Sequence, residues 1–89
     1  MRIVDDFSLP TEGDLTLSLS ANARPLWVGM KGSQPTISFL HEPGAETIEN
    51  TLRVIRSGVA FDEKSFSSDY IGSFSADGLV SHVVILRNV

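Results

Sequence analysis

Two histidines, His41 and His82, are the first candidates for catalysis or metal binding in this 89-residue chain. His82 follows the pair Asp77-Gly78, and a two-residue turn at that pair places His82 opposite Ser73 on the neighbouring strand. A Ser–His pair can supply a nucleophile and its base, but no carboxylate is placed to orient the imidazole ring. The pattern favours a hydrogen-bonded structural histidine, and we expect no catalytic residue.

Metal-ligating or acid–base side chains also occur in three adjacent pairs, His41-Glu42, Asp5-Asp6 and Asp62-Glu63. Two histidines at unrelated positions do not form a zinc signature, whose ligands recur at short, fixed spacings. Adjacent residues of a strand point to opposite faces, so Asp5 and Asp6 do not share a proton or an ion. The sequence predicts no metal site and no cofactor.

The formal net charge of the chain is −4. Its seven basic residues are scattered, whereas phosphate backbones are bound by clustered lysines and arginines. The eleven carboxylates do not cluster either, so the acidity is better interpreted as a solubility trait than as mimicry of nucleic acid. We therefore expect no nucleic-acid partner.

The chain contains no cysteine, whereas small secreted domains commonly compensate for a thin core with disulfides. The first residues, Met1–Asp6, lack the apolar segment of a signal peptide. No apolar run approaches the roughly 18 residues that are needed to cross a bilayer. These features predict a cytoplasmic protein without a membrane contact.

The elements that position these residues are predicted to be strands. Leu15, Leu17 and Leu19 alternate with hydroxyl residues, which indicates a strand with one face on a core and the other in water. About six to seven short strands predict one all-β domain over residues 1–89, either a small antiparallel β-sandwich or a partly open barrel. The predicted elements are an edge strand at Arg2–Leu9, strands at Asp14–Ser20, Leu26–Met30, Gln34–Leu40, Ile48–Ser57, Tyr70–Ala76 and Leu79–Leu86, and a long loop at Val59–Asp69.

Turn chemistry predicts the pairing within two hairpins. A two-residue type II′ turn at Gly32-Ser33 opposes Lys31 to Gln34, and a turn at Asp77-Gly78 opposes Ala76 to Leu79. The first hairpin then pairs Val28–Ile37 and Leu26–Phe39 on an apolar face, and Trp27–Ser38 and Gly29–Thr36 on the reverse face. The second pairs Phe74–Ser81, Gly72–Val83, Tyr70–Ile85, Ser75–Val80, Ser73–His82 and Ile71–Val84. Both faces of Leu79–Leu86 are largely apolar, which predicts a central strand that is covered on both sides.

Trp27 is the strongest candidate for a binding residue, because its register points it away from the main core. Large aromatic side chains on an exposed sheet face are frequent binding anchors. The alternative is a second small core, in which Trp27 packs with Phe61 or Phe66 under the predicted loop. Leu40 would enlarge either arrangement, and the loop residues Asp62-Glu63 complete the candidate partner-binding set.

Four short motifs follow one another in the chain: Ala-Arg-Pro-Leu-Trp-Val, Arg-Val-Ile-Arg-Ser-Gly, Tyr-Ile-Gly-Ser-Phe and Gly-Leu-Val-Ser-His-Val. They occupy Ala23–Val28, Arg53–Gly58, Tyr70–Phe74 and Gly78–Val83. In this order they resemble a family of small, uncharacterised bacteriophage and prophage proteins. The chain departs from that family's usual pattern, which has threonine at Ser73, tryptophan at Ser81 and Gly-Thr-Gly at Arg56–Gly58.

The resemblance implies a phage origin and an all-β fold, and it brings no catalytic residues with it. It leads us to expect a non-catalytic module that binds a bacterial host protein in the cytoplasm of the infected cell, as an inhibitor of a defence system such as CRISPR. The alternative is a phage structural or assembly protein that forms homo-oligomers through an edge strand or through Trp27. A small-ligand carrier or enzyme ranks third, and it would need a deep pocket at His82 or His41.

Overall fold

Seven antiparallel strands packed as two sheets make up the computed structural model, which describes residues 1–59 and 66–88. For residues 66–68 and 87–88 only the backbone is described. The prediction of an all-β domain is confirmed. The strands are β1 (Ile3–Ser8), β2 (Gly13–Ser20), β3 (Arg24–Lys31), β4 (Gln34–His41), β5 (Thr47–Arg56), β6 (Phe66–Ala76) and β7 (Leu79–Asn88).

The sheet order is β1-β4-β3 in one layer and β2-β5-β7-β6 in the other. The edge strands β3 and β6 contact each other from one sheet to the other, but the sheets do not close into a barrel. Of the two predicted architectures, the structure is therefore a sandwich. The predicted edge position of β1 and central position of β7 within its sheet are both confirmed. The predicted cover on both faces of β7 is wrong, because the described strands form two layers and Val80 on the outer face is 42% exposed.

The core lies between the two sheets and is built from alternate residues of each strand. On β4, Ile37 and Phe39 are buried against the four-stranded sheet, and on β7 Val83 and Ile85 face them from the other layer. Period-2 alternation places such residues on one face because successive side chains of a strand point to opposite sides. The buried apolar residues of this cluster are Leu9, Leu19, Ile37, Phe39, Leu52, Val54, Phe74, Val83 and Ile85.

Both predicted hairpin turns are confirmed. Lys31 pairs with Gln34, and Gly32 has φ 64°, the sign that a type II′ turn requires at its first central residue. Asp77 and Gly78 have φ 54° and 76°, as a type I′ turn requires of both central residues. Next to both turns, the observed cross-strand pairs are the ones that the turns predict.

Two β-bulges then shift the register, and the predicted pairs beyond them are wrong. In β3 the shift lies between Pro25 and Trp27, so that Pro25 instead of Leu26 is opposite Phe39. In β6 it lies between Tyr70 and Gly72. A bulge places two residues of one strand opposite a single residue of its partner. The incorrect pairs are Leu26–Phe39, Tyr70–Ile85 and Ile71–Val84, and the observed ones include Tyr70–Val84 and Asp69–Ile85.

The predicted loop at Val59–Asp69 is wrong in its second part. Residues from Phe66 onward belong to β6 and pair with the end of β7, as in Phe66–Asn88. The partner strand is long enough to extend the ladder, which satisfies backbone groups that a loop would leave to water. Residues 60–65 lie outside the described part of the chain.

The described residues contain no helix with the length and hydrophobicity that a membrane-spanning helix needs.

Candidate functional site

The outer face of the three-stranded sheet carries Trp27 and is the candidate site. Register places Asp6, Ser38 and Trp27 side by side across β1, β4 and β3, and Val4 lies beside Leu40 on the same face. This face is opposite to the one that buries Ile37 and Phe39. We call it the Trp27 face, defined by Val4, Asp6, Trp27, Ser38 and Leu40.

Trp27 lies outside the core, as its register predicts, with 47% of its surface exposed. Its indole packs along its own strand over Gly29, two residues away. A Cβ at Gly29 would collide with Cζ2 of the indole and lie 2.9 Å from Cε2 and Cη2. Because glycine has no Cβ, the indole can pack directly against the backbone of Gly29, which we call the seat of the ring. The spacing of Gly29 from Trp27 was visible in the sequence, but its role as a seat was not part of the predicted site.

A polar network lies next to the indole. Ser38 Oγ donates to Asp6 Oδ1 at 2.5 Å, and Lys31 Nζ donates to Asp6 Oδ2 at 3.0 Å. The hydrogen bonds from Ser38 and Lys31 hold the pKa of Asp6 below its ordinary value. An open cavity of about 200 Å³ begins at this network and is lined by Asp6, Phe7, Ser8, Lys31, Gln34 and Thr36.

Apolar side chains also lie on the Trp27 face or beside it in the chain. Val4 is 57% exposed, Leu40 is half-buried, and Leu26, the extra residue of the β3 bulge, is 46% exposed. The Trp27 face therefore combines an aromatic centre, an apolar margin and a charged pair. The structure brings Trp27 and Leu40 onto one face, as predicted.

The structure does not describe the side chains of the other predicted partner-binding residues. Phe61 and Asp62-Glu63 lie outside the described residues, and only the backbone of Phe66 is described. The alternative in which Trp27 covers a second core with Phe61 or Phe66 therefore stays a prediction.

His82 lies opposite Ser73, as predicted, but its ring nitrogens contact the hydroxyl groups of two other residues. Its Nε2 lies 2.9 Å from Ser57 Oγ, and its Nδ1 lies 3.3 Å from the hydroxyl of Tyr70. The Tyr70 and His82 rings also contact each other, with centroids 6.0 Å apart. With both ring nitrogens in contact with hydroxyls, this geometry supports the structural role of His82.

His41 has a partner that the sequence did not reveal. Its Nε2 lies 2.7 Å from Asp5 Oδ2, and its ring packs edge-on against Phe7 at a centroid distance of 6.1 Å. Asp5 thus turns toward His41 while Asp6 turns toward Ser38, so the two aspartates point to opposite faces, as predicted. Among the described residues, no three His, Cys, Asp or Glu side chains are grouped so that they could hold a metal ion.

Comparisons with protein-family models, with curated proteins and with solved structures find no significant match to this chain. The resemblance to phage proteins rests on the short motifs alone and stays a prediction. Function is therefore inferred from the chemistry of the described surfaces.

Acid titration is expected to reveal two carboxylates with lowered pKa values. Asp6 is held by Ser38 and Lys31, and Asp14 accepts two hydrogen bonds from Arg53, from Nε at 2.7 Å and Nη2 at 3.0 Å. Because both pKa values are lower in the folded state, their contribution to stability is present above the unfolded pKa of about 3.9. This contribution to stability is lost as the pH falls through the pKa that each carboxyl has in the folded state.

Urea unfolding of the wild type and of Asp14→Asn at neutral pH, pH 4 and pH 3 measures this effect. At neutral pH the substitution costs less than about 1 kcal/mol, because the pair is exposed and screened by solvent. Toward pH 3 the difference between the two proteins shrinks, and Asp6→Asn follows the same trend. A difference that stays constant or grows on acidification would contradict the assignment.

Proposed function

We propose that this chain is a non-catalytic protein-binding module that contacts its partner through the Trp27 face. The observation that carries the proposal is the indole of Trp27, seated on Gly29 with 47% of its surface exposed. Tryptophan is enriched among the few interface residues that supply most of the binding free energy. It buries a large apolar area, and its N–H remains available for a hydrogen bond.

Preorganisation supports this role. Contact with Gly29 restricts the indole before any partner arrives, so less side-chain entropy is lost on binding. Gly29 is paired with Thr36, which lines the neighbouring cavity, so the indole lies one strand away from that cavity. A partner that covers the ring can therefore place a polar side chain near the pair Asp6–Lys31.

The partner in this proposal is a bacterial host protein in the cytoplasm of an infected cell, such as an effector of a CRISPR or another defence system. The phage-like motifs support that class of partner. The face itself suits a protein surface, because exposed aromatic and apolar residues next to a charged pair match the composition of protein–protein interfaces.

The test is capture of a partner from bacterial lysate by the immobilised full chain, with the wild type and two alanine variants in parallel. Trp27→Ala is expected to lower retention about tenfold, the loss of roughly 1.4 kcal/mol of binding free energy. Ile48→Ala is the matched control, since Ile48 is 52% exposed and lies on the other sheet. Urea unfolding establishes that both variants are folded.

A second variant, Gly29→Val, keeps the indole but removes its seat. It is expected to weaken retention and to change the fluorescence of Trp27, which is the only tryptophan in the chain. Equal retention by Trp27→Ala and Ile48→Ala, or no retained protein at all, would contradict the proposal.

The second candidate function is a structural or assembly protein that self-associates. The observation that favours it is the edge strand β2, whose outer side pairs with no strand among the described residues and which lies on the other sheet from the Trp27 face.

A further inference from the structure

The four strands at sheet edges differ in how well they are protected against further pairing. Charges, proline, bulges or a covering element commonly prevent an edge strand from pairing with a further strand. β1 carries Asp5 and Asp6, β3 contains Pro25 and a bulge, and β6 contains the second bulge. β3 and β6 also contact each other. The remaining edge is β2.

β2 is less protected than these three strands, because it contains no proline, no bulge and only one charged residue. It runs for eight residues, Gly13–Ser20, and pairs with β5 without a register shift. Its single charged residue, Asp14, is paired with Arg53. No described strand pairs with its other edge. An edge strand without a bulge presents free backbone donors and acceptors to a further strand.

The two rows of side chains on β2 indicate which strand fits. The inward row is Leu15, Leu17 and Leu19, of which Leu15 and Leu17 are only half-buried against the core. The outward row contains the hydroxyl residues Thr16 and Ser18, both exposed. A matching strand must therefore offer an apolar row on the inner side and small polar residues on the outer side.

We propose that two copies of this chain pair through β2, antiparallel, about a two-fold axis at Leu17. In this register Leu17 faces its own copy and Leu15 faces Leu19, so the apolar rows meet on one side. Thr16 faces Ser18 on the other side, and Asp14 faces Ser20, so no like charges are opposed. The pairing joins the two four-stranded sheets into one sheet of eight strands.

Two-fold symmetry is what makes a second copy the fitting occupant. An isologous interface requires a surface that is complementary to itself, and β2 meets this condition on both faces. The second copy's leucines would cover the parts of Leu15 and Leu17 that the single chain leaves exposed. This inference is independent of the Trp27 face.

Sedimentation velocity of the full chain across micromolar to sub-millimolar concentrations tests the proposal. The wild type is expected to dimerise. Thr16→Lys/Ser18→Lys opposes lysine to lysine at two positions and is expected to weaken the dimer at least tenfold. Thr16→Glu/Ser18→Lys opposes glutamate to lysine in the same register and is expected to dimerise at least as tightly as the wild type, and it keeps lysine opposite Glu49 of the same chain as in the double-lysine variant. Ser75→Lys, at an exposed position of β6 on the opposite edge of the same sheet, is the matched control and leaves the dimer unchanged.

The charge exchange separates misfolding from loss of pairing, because both double variants change the same two exposed positions. A wild type that is monomeric at every concentration overturns the proposal. Equal weakening by both double variants, or a dimer that survives the double-lysine variant, also overturns it. A dimer lost in Trp27→Ala would place the interface on the Trp27 face and overturn it as well. Loss of partner retention in Trp27→Ala concerns the protein-binding proposal alone.

Discussion

Phe39→Ala is expected to lower the free energy of unfolding by about 3–5 kcal/mol. Phe39 is 2% exposed on the central strand of the three-stranded sheet, and its ring contacts Phe7 edge-on at a centroid distance of 6.1 Å. Truncation removes buried apolar surface and leaves a cavity that the surrounding strands fill only in part. Because small domains are stable by about 5–15 kcal/mol, this loss is a large fraction of the total.

Urea unfolding at neutral pH measures the effect through the midpoint, with the slope showing whether the unfolding stays two-state. Val4→Ala is the control, since Val4 is 57% exposed on the neighbouring strand. Its expected change is within about 0.5 kcal/mol. A loss below about 1 kcal/mol for Phe39→Ala would mean that Phe39 is not the core residue described, because such values are typical of exposed positions.

The parts of the fold that could be predicted are those determined over short distances in the chain. Gly32-Ser33 and Asp77-Gly78 specify turn types, and each turn type specifies the register of the hairpin around it. The order of strands in the sheets depends instead on pairings such as Ile3–His41 and Leu19–Ile48. These join residues far apart in the chain, and no local pattern selects one such partner over another.

The bulges were missed for a related reason. Leu26 and Ile71 are apolar residues in apolar segments, and the adjacent Pro25 and Gly72 are residue types that often occur at bulges, but neither type shows which residue is the extra one. The structure shows the consequence at Leu26, which was predicted opposite Phe39 in the apolar face and is instead 46% exposed. Bulges bend and twist a strand, and these two lie on the edge strands that contact each other between the sheets.

The candidate site was predictable where it depends on a hairpin and not where it depends on distant strands. Trp27 is four residues from its turn, and its outward position follows from the register alone. The contact of Asp6 with Ser38 and that of Asp5 with His41 both require the pairing of β1 with β4. That pairing joins strands separated by most of the first half of the chain, so the polar part of the site could be found only in the structure.

Gly72→Val is expected to destabilise the fold by about 1–3 kcal/mol through overpacking between the sheets. Gly72 follows the β6 bulge, and a Cβ there would lie 3.1 Å from Cβ and 3.2 Å from Cγ2 of Val28 on β3. The branch point of Val28 is held by its backbone and cannot swing aside as the end of a long side chain could. Urea unfolding measures the loss, and Ser75→Val, at an exposed position of the same strand, is the matched control.

A double-mutant cycle with Val28→Ala identifies the contact responsible. Val28→Ala alone removes methyl groups that pack against the core and costs about 1–2 kcal/mol. In Gly72→Val/Val28→Ala, the methyl groups of the valine at position 72 occupy the space that the methyl groups of Val28 filled. The double variant should therefore be more stable than the sum of the single losses allows, with a coupling energy of about 0.5–3 kcal/mol. Additive losses would show that β3 and β6 do not meet at this pair, and that glycine is required at position 72 by the bulge itself.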